Sequence, residues 1–147
     1  MNEITIPYHL AIPTVLCLIG IIAILVNRKK LFTKNKLLWT SITIFLVFYF
    51  MVVSKSTFDD MYYQWDLNRY DLDNDGIFGG EEITTEQSKA MQKLTSDTGR
   101  NFSFITGFIL AFIISTIFFI FGKTITGIKT IKKRKNHTQQ RTVLKNE

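Results

Sequence analysis

Residues 102–121 read Phe-Ser-Phe-Ile-Thr-Gly-Phe-Ile-Leu-Ala-Phe-Ile-Ile-Ser-Thr-Ile-Phe-Phe-Ile-Phe. No Asp, Glu, Lys, Arg or His interrupts the run, and its length matches the ~20 residues a helix needs to cross a bilayer core. Two further runs, Leu10–Val26 and Leu37–Val53, likewise contain no Asp, Glu, Lys, Arg or His and need only slight extension to reach that length. A soluble chain of 147 residues has no core large enough to hide three such runs without polar faces. Length and the absence of charge therefore favour membrane spans over buried helices. The expectation is an all-α protein with three transmembrane helices.

Charge predicts the orientation. The short connection Asn27–Lys36 carries Arg28, Lys29, Lys30, Lys34 and Lys36 and no acid. Beyond the third span, Lys123, Lys129, Lys132, Lys133, Arg134, Lys135, Arg141 and Lys145 face only Glu147. Between them, Lys55–Asn101 holds ten acids and five bases. The positive-inside rule puts the first connection and the C-terminal tail in the cytoplasm, with the N-terminus and the acidic segment outside. The net charge of +6 thus averages two opposed faces. Its basic part flanks spans, where it sets topology and attracts anionic lipid, so a nucleic-acid partner is not expected. The segments expected are 1–54 (two spans and a basic loop), 55–101 (the extracytoplasmic segment) and 102–147 (third span and basic tail). The first span has its bases after the apolar run and none before it, the reverse of a signal peptide, and is expected to be a retained anchor.

Within the acidic segment, residues 71–82 read Asp-Leu-Asp-Asn-Asp-Gly-Ile-Phe-Gly-Gly-Glu-Glu. Asp71, Asp73 and Asp75 alternate, so three short carboxylates can converge on one hard cation. Gly76 follows where the chain must turn sharply. By chance, three Asp, one Gly and one Glu at these places arise in roughly one chain in ten thousand of this size. The pattern resembles the calcium loop of the EF-hand family over its full length. The resemblance implies that Asp71, Asp73, Asp75, the Ile77 carbonyl and Glu82 hold Ca2+, with a water at Gly79. Tyr63, Leu67 and Tyr70 fit the apolar places of an entering helix, and Ile83 fits an exiting one. Glu86 and Gln87 stand where apolar residues are usual in that family. Thr84-Thr85-Glu86-Gln87 reads instead as a capping box that starts a separate helix at about Thr85–Ser96.

Other features predict packing. Ser103, Gly107, Ala111 and Ser115 put small side chains on one face of the third span, and Thr14, Cys17, Gly20 and Ala23 form a weaker stripe on the first. These two faces are expected to meet within the monomer; a homo-oligomer or another membrane protein is the rival partner. Phe104, Phe108, Phe112, Phe118 and Phe119 are read as the opposite surface. Either the second span continues as one helix toward the loop, or a kink falls near Ser54–Thr57, the favoured reading. Gly99 is expected to end a helix, Asn101 to start the next, and Arg100 to lie at headgroup level. Trp39, Tyr62, Tyr63 and Trp65 suit interfacial belts.

No catalytic constellation emerges. Asp97-Thr98-Gly99 matches the aspartic-protease tripeptide but sits between a helix and a span, with no second carboxylate context. His9 and His137 fall on opposite sides of the membrane. The expected function is a non-enzymatic integral membrane calcium-binding protein, structural or accessory; the alternative is a calcium-regulated subunit of an oligomeric channel or transporter. Abundant Ile, Phe, Lys and Asn suggest an AT-rich bacterial genome, and hence the inner membrane.

Overall fold

Each apolar run becomes a long helix. The computed structural model describes residues 4–143, and Glu3, Lys145 and Glu147 lie outside them. The chain folds as α1 (Tyr8–Val26), α2 (Arg28–Asn68), a 3-10 turn (Gly80–Glu82), α3 (Thr85–Thr95), α4 (Thr98–Asn101) and α5 (Ser103–Val143). No strand forms among the described residues. Three stretches, in α1, in Asn35–Asn68 and within Thr85–Lys132, are long and apolar enough to cross a membrane. The all-α expectation and the three spans hold.

The helices associate through α2, which packs on both α1 and α5, while α1 and α5 touch each other little. This corrects the expected pairing of the two small-residue faces. Both faces turn to α2 instead. Gly20 lies against Leu46, and Gly107 lies so close to Val52 that an added Cβ would stand 2.7 Å from its Cγ1. The stripes still converge at one point, because Cys17, Tyr49, Val53 and Ala111 form the buried cluster where all three helices meet. Polar groups add cross-links. The Tyr49 hydroxyl donates to the Phe104 carbonyl (3.0 Å), and Ser115 Oγ donates to the Ser41 carbonyl (2.7 Å). In hydrocarbon such bonds, with close backbone approach, supply what hydrophobic burial supplies in water. Phe108 is not on a remote surface either: its ring meets Phe45 and Tyr49 edge-on at 5.3 and 5.7 Å.

The kink expected near Ser54–Thr57 is absent. Thr57 Oγ1 donates back to the Val53 carbonyl at 2.7 Å, so it sits mid-helix and caps nothing. With no Gly or Pro from Ile21 through Asp75, nothing local stops helix propagation. The one break in α2 lies at Asn35 (φ −143°, ψ 66°), ahead of the apolar run. From there to Asn68 the helix has 34 residues, about 50 Å at 1.5 Å per residue, against a hydrocarbon core of about 30 Å. The surplus carries the acidic loop clear of the apolar zone. The expected boundary at residue 54 therefore falls inside a continuous helix. At the other end α5 continues helical to Val143, well past the apolar run.

Gly107 is the tightest helix contact with a stiff neighbour, since Val52 Cβ as well as Cγ1 crowds the position, at 3.2 Å. Gly127 has nothing within 4 Å. Gly107→Val is expected to lower stability in detergent by about 1–3 kcal/mol through overpacking, and Gly127→Val to leave it within ~0.5 kcal/mol. Thermal unfolding of both variants checks this; equal melting temperatures would contradict the α2–α5 interface.

Candidate metal centre

The loop after α2 turns back on itself through three residues of positive φ, Asn74 (61°), Gly76 (83°) and Gly80 (53°). Asn is among the few non-glycine residues that tolerate this region, and Gly76 is where the sequence predicted the sharp turn. Side-chain oxygens then tie the loop together. Asp71 Oδ2 accepts from the Gly76 amide (3.0 Å), Asp73 Oδ1 from the Asp75 amide (3.1 Å) and Asp75 Oδ1 from the Ile77 amide (2.6 Å). Glu82 reaches across: its Oε1 accepts from Leu72 (2.6 Å) and Asp73 (3.3 Å), and its Oε2 from Gly79 (3.1 Å).

This folding brings Asp71, Asp73 and Glu82 together, with one carboxylate oxygen from each lying within 4.8 Å of the others. Asp71 and Glu82 are buried, whereas Asp73 is exposed. The set is all hard oxygen, the donor chemistry of Ca2+ or Mg2+ rather than of zinc or copper. Such a cluster could hold a metal ion. Asp75 lies outside this close set.

The electrostatics of the triad are opposed. For Asp73 the Asp75 amide lowers the carboxyl pKa, but desolvation and the charges of Asp75, Glu82 and Asp71 outweigh it and leave it raised. For Glu82 the amides of Gly79 and Leu72 prevail over desolvation and Asp71, holding it below its ordinary value. By linkage, ionised Glu82 contributes stability above its unfolded pKa, which is lost as pH falls through the folded value. Ionised Asp73 does the reverse, costing stability at neutral pH until a proton or a cation relieves it. A divalent ion relieves that repulsion without giving up the Glu82 contribution.

Past the loop, Thr84 caps α3 by accepting from the Gln87 amide (3.1 Å). The helix runs to Thr95, close to the sequence expectation. Gln87 does not bond back; its side chain is buried. The α3–α5 junction differs from expectation. Asp97 caps a short helical turn, Thr98–Asn101, accepting from the Arg100 amide at 2.9 Å. Arg100 does not reach out into solvent: it is 5 % exposed. Its Nε donates to Asp60 Oδ1 (3.0 Å), and its two terminal nitrogens to the carbonyls of Lys93 and Leu94. Its guanidinium also lies over the Tyr63 ring, 5.1 Å from the centroid.

Asp60 is held in turn by Gln64 Nε2 (2.8 Å), which also donates to the Thr5 carbonyl (2.9 Å), while Gln64 Oε1 accepts from the Thr5 amide (2.8 Å). One polar network thus joins the N-terminal segment, α2, α3 and α4. Sequence reasoning missed it. The only signal was a lone arginine between Gly99 and Asn101 with Asp60 one span away, a pairing that spacing does not reveal.

Comparison with protein-family models, curated proteins and solved structures finds no match to this chain. Fold and site define its class from the residues alone: an all-helical chain with three membrane-length helices and an acidic triad suited to a metal ion.

Arg100→Gln leaves Asp60 buried without its charge partner and strips two helix-end carbonyls of donors. A loss of about 3–5 kcal/mol is expected, read as a fall in detergent melting temperature. A variant as stable as wild type would show that the network holds nothing together.

Proposed function

We propose that the chain is an integral membrane calcium-binding protein, structural or accessory in role and without catalytic activity. The observation that carries this reading is the convergence of Asp71, Asp73 and Glu82 in a loop whose turn residues are already set. Asp75 and the Ile77 carbonyl complete the proposed ligand set, as the likeness to an EF-hand loop implies. Six to eight oxygens at flexible distances suit Ca2+ better than the strict octahedron of Mg2+. A single loop outside the cell fits the 10⁻⁴–10⁻³ M affinities of extracellular modules. Millimolar calcium would keep such a site filled, as a clip on the segment that joins α2 to α5.

The proposed orientation follows the charges: loop and N-terminus outside, C-terminal tail in the cytoplasm, in a bacterial inner membrane. Two features support a clip over a gate. The outer segment has few buried side chains of its own, chiefly Leu67, Gln87 and Ala90 besides the acids and Arg100. The three apolar runs contain no ionisable residue of the kind that marks ion pathways.

With free calcium at ten times the dissociation constant, binding adds about 1.4 kcal/mol, or roughly 3–6 °C of melting temperature for a chain of this size. Wild type should show that rise in detergent, and Asp71→Ala combined with Glu82→Ala should not. Equal calcium-induced shifts in both would refute the site, whatever their starting stabilities. Orientation is checked with Asn74→Cys. A membrane-impermeant maleimide should label it in intact cells, with little background because Cys17 is buried. Labelling only after lysis would reverse the topology.

A further inference from the structure

At the end of the bundle opposite the acidic loop, the break at Asn35 sets a short basic helical stretch, starting at Arg28, off from the α2 span. A groove of about 580 Å³ opens between this stretch, the last turn of α1 and the start of the span. Its wall is apolar, with Ile24, Leu25 and Phe32. Three cations, Arg28, Lys29 and Lys36, also line it, and all three are exposed. No acid occurs anywhere in Asn27–Lys36 to neutralise them.

We infer that this groove is a binding site for one anionic glycerophospholipid, whose phosphate sits among Arg28, Lys29 and Lys36 while an acyl chain lies against Ile24, Leu25 and Phe32. Two features commit the site to that occupant. The charge is complementary to a phosphodiester, and a guanidinium with two ammonium groups can engage its non-bridging oxygens from several directions. The groove also lies where the apolar runs of α1 and α2 end and begin, at Val26 and Leu37, which is the headgroup level of a bilayer that these helices span. A soluble phosphate would use the cations but leave the apolar wall bare. A zwitterionic lipid would fill the wall but bring its own cation toward three others. Basic pockets between helices at this level select anionic headgroups for the same reason. The inference rests on the helices spanning a bilayer and is independent of the calcium reading.

The test is native mass spectrometry of the full chain in detergent, with phosphatidylglycerol or phosphatidylcholine added. Wild type should retain phosphatidylglycerol over phosphatidylcholine. Arg28→Gln, Lys29→Gln and Lys36→Gln together should weaken that retention by about tenfold or more. Removing the same number of charges from the tail, with Lys129→Gln, Lys132→Gln and Lys135→Gln, should leave it within about twofold. Leu25→Trp keeps every charge but fills the groove, and should also lose the lipid. Millimolar inorganic phosphate should not displace it. The site is overturned if the tail variant loses as much as the groove variant, if Leu25→Trp retains full binding, if inorganic phosphate competes, or if wild type shows no preference. Any of these results leaves the helices as membrane spans, which solubility only in detergent reports separately.

Discussion

Everything in this fold depends on how little apolar surface the helices hide from their surroundings. Leu10 and Val53 are the largest fully buried side chains among the described residues. Along α5, Phe112, Ile120 and Phe121 remain 58–65 % exposed. In water such a surface would drive association rather than stay bare. Hydrocarbon removes the penalty, and with it the need for a large core. What then orders the helices is shape and a few polar bonds. Gly107 admits Val52, Ser115 reaches the Ser41 carbonyl, and the Tyr49 hydroxyl reaches Phe104. The middle helix carries all three contacts to α5 and, at Leu46, also meets Gly20 of α1, so α1 and α5 need hardly touch.

Outside the apolar zone the rules change. The segment between α2 and α5 is too small for a substantial core, and it substitutes polar order for burial. The Asp60–Arg100 pair anchors its far end and, through Gln64, the N-terminal segment. The acidic loop organises its near end, with Glu82 drawing in three backbone amides. Both devices hang on the projecting part of α2, so the loop is attached to a rigid rod rather than to a tether. A cation at the triad would tighten the same unit without any new hydrophobic contact. The opposite end of the bundle shows the mirrored chemistry, cations beside an apolar wall. The two ends of the bundle thus carry opposite charge, carboxylates at one and cations at the other.

Much of this was legible beforehand, and the parts that were not have a common cause. The spans are written in uncharged length, the turn at Gly76 in a residue that tolerates positive φ, and the start of α3 in Thr84. Each is a local signal. The errors concern choices between partners. Small residues on the first and third helices showed that close approach would occur but not against which neighbour. Arg100 beside a span reads as a snorkelling cation until a carboxylate forty positions away is placed within reach. Ser54–Thr57 carried hydroxyls that suit either a cap or a back-bond to the preceding turn, and the absence of Gly and Pro nearby was the better guide. The break at Asn35 had no breaker residue to announce it. The loop's likeness to an EF-hand suggested five candidate ligands; the geometry gathers three of them closely, Asp71, Asp73 and Glu82.

Calorimetric titration of calcium into the purified chain in detergent, repeated with magnesium present, tests the central claim most directly. The account predicts a saturable binding heat with one calcium per chain that persists against an equal concentration of magnesium. A titration with no saturable heat, or one that magnesium abolishes at that concentration, would contradict it.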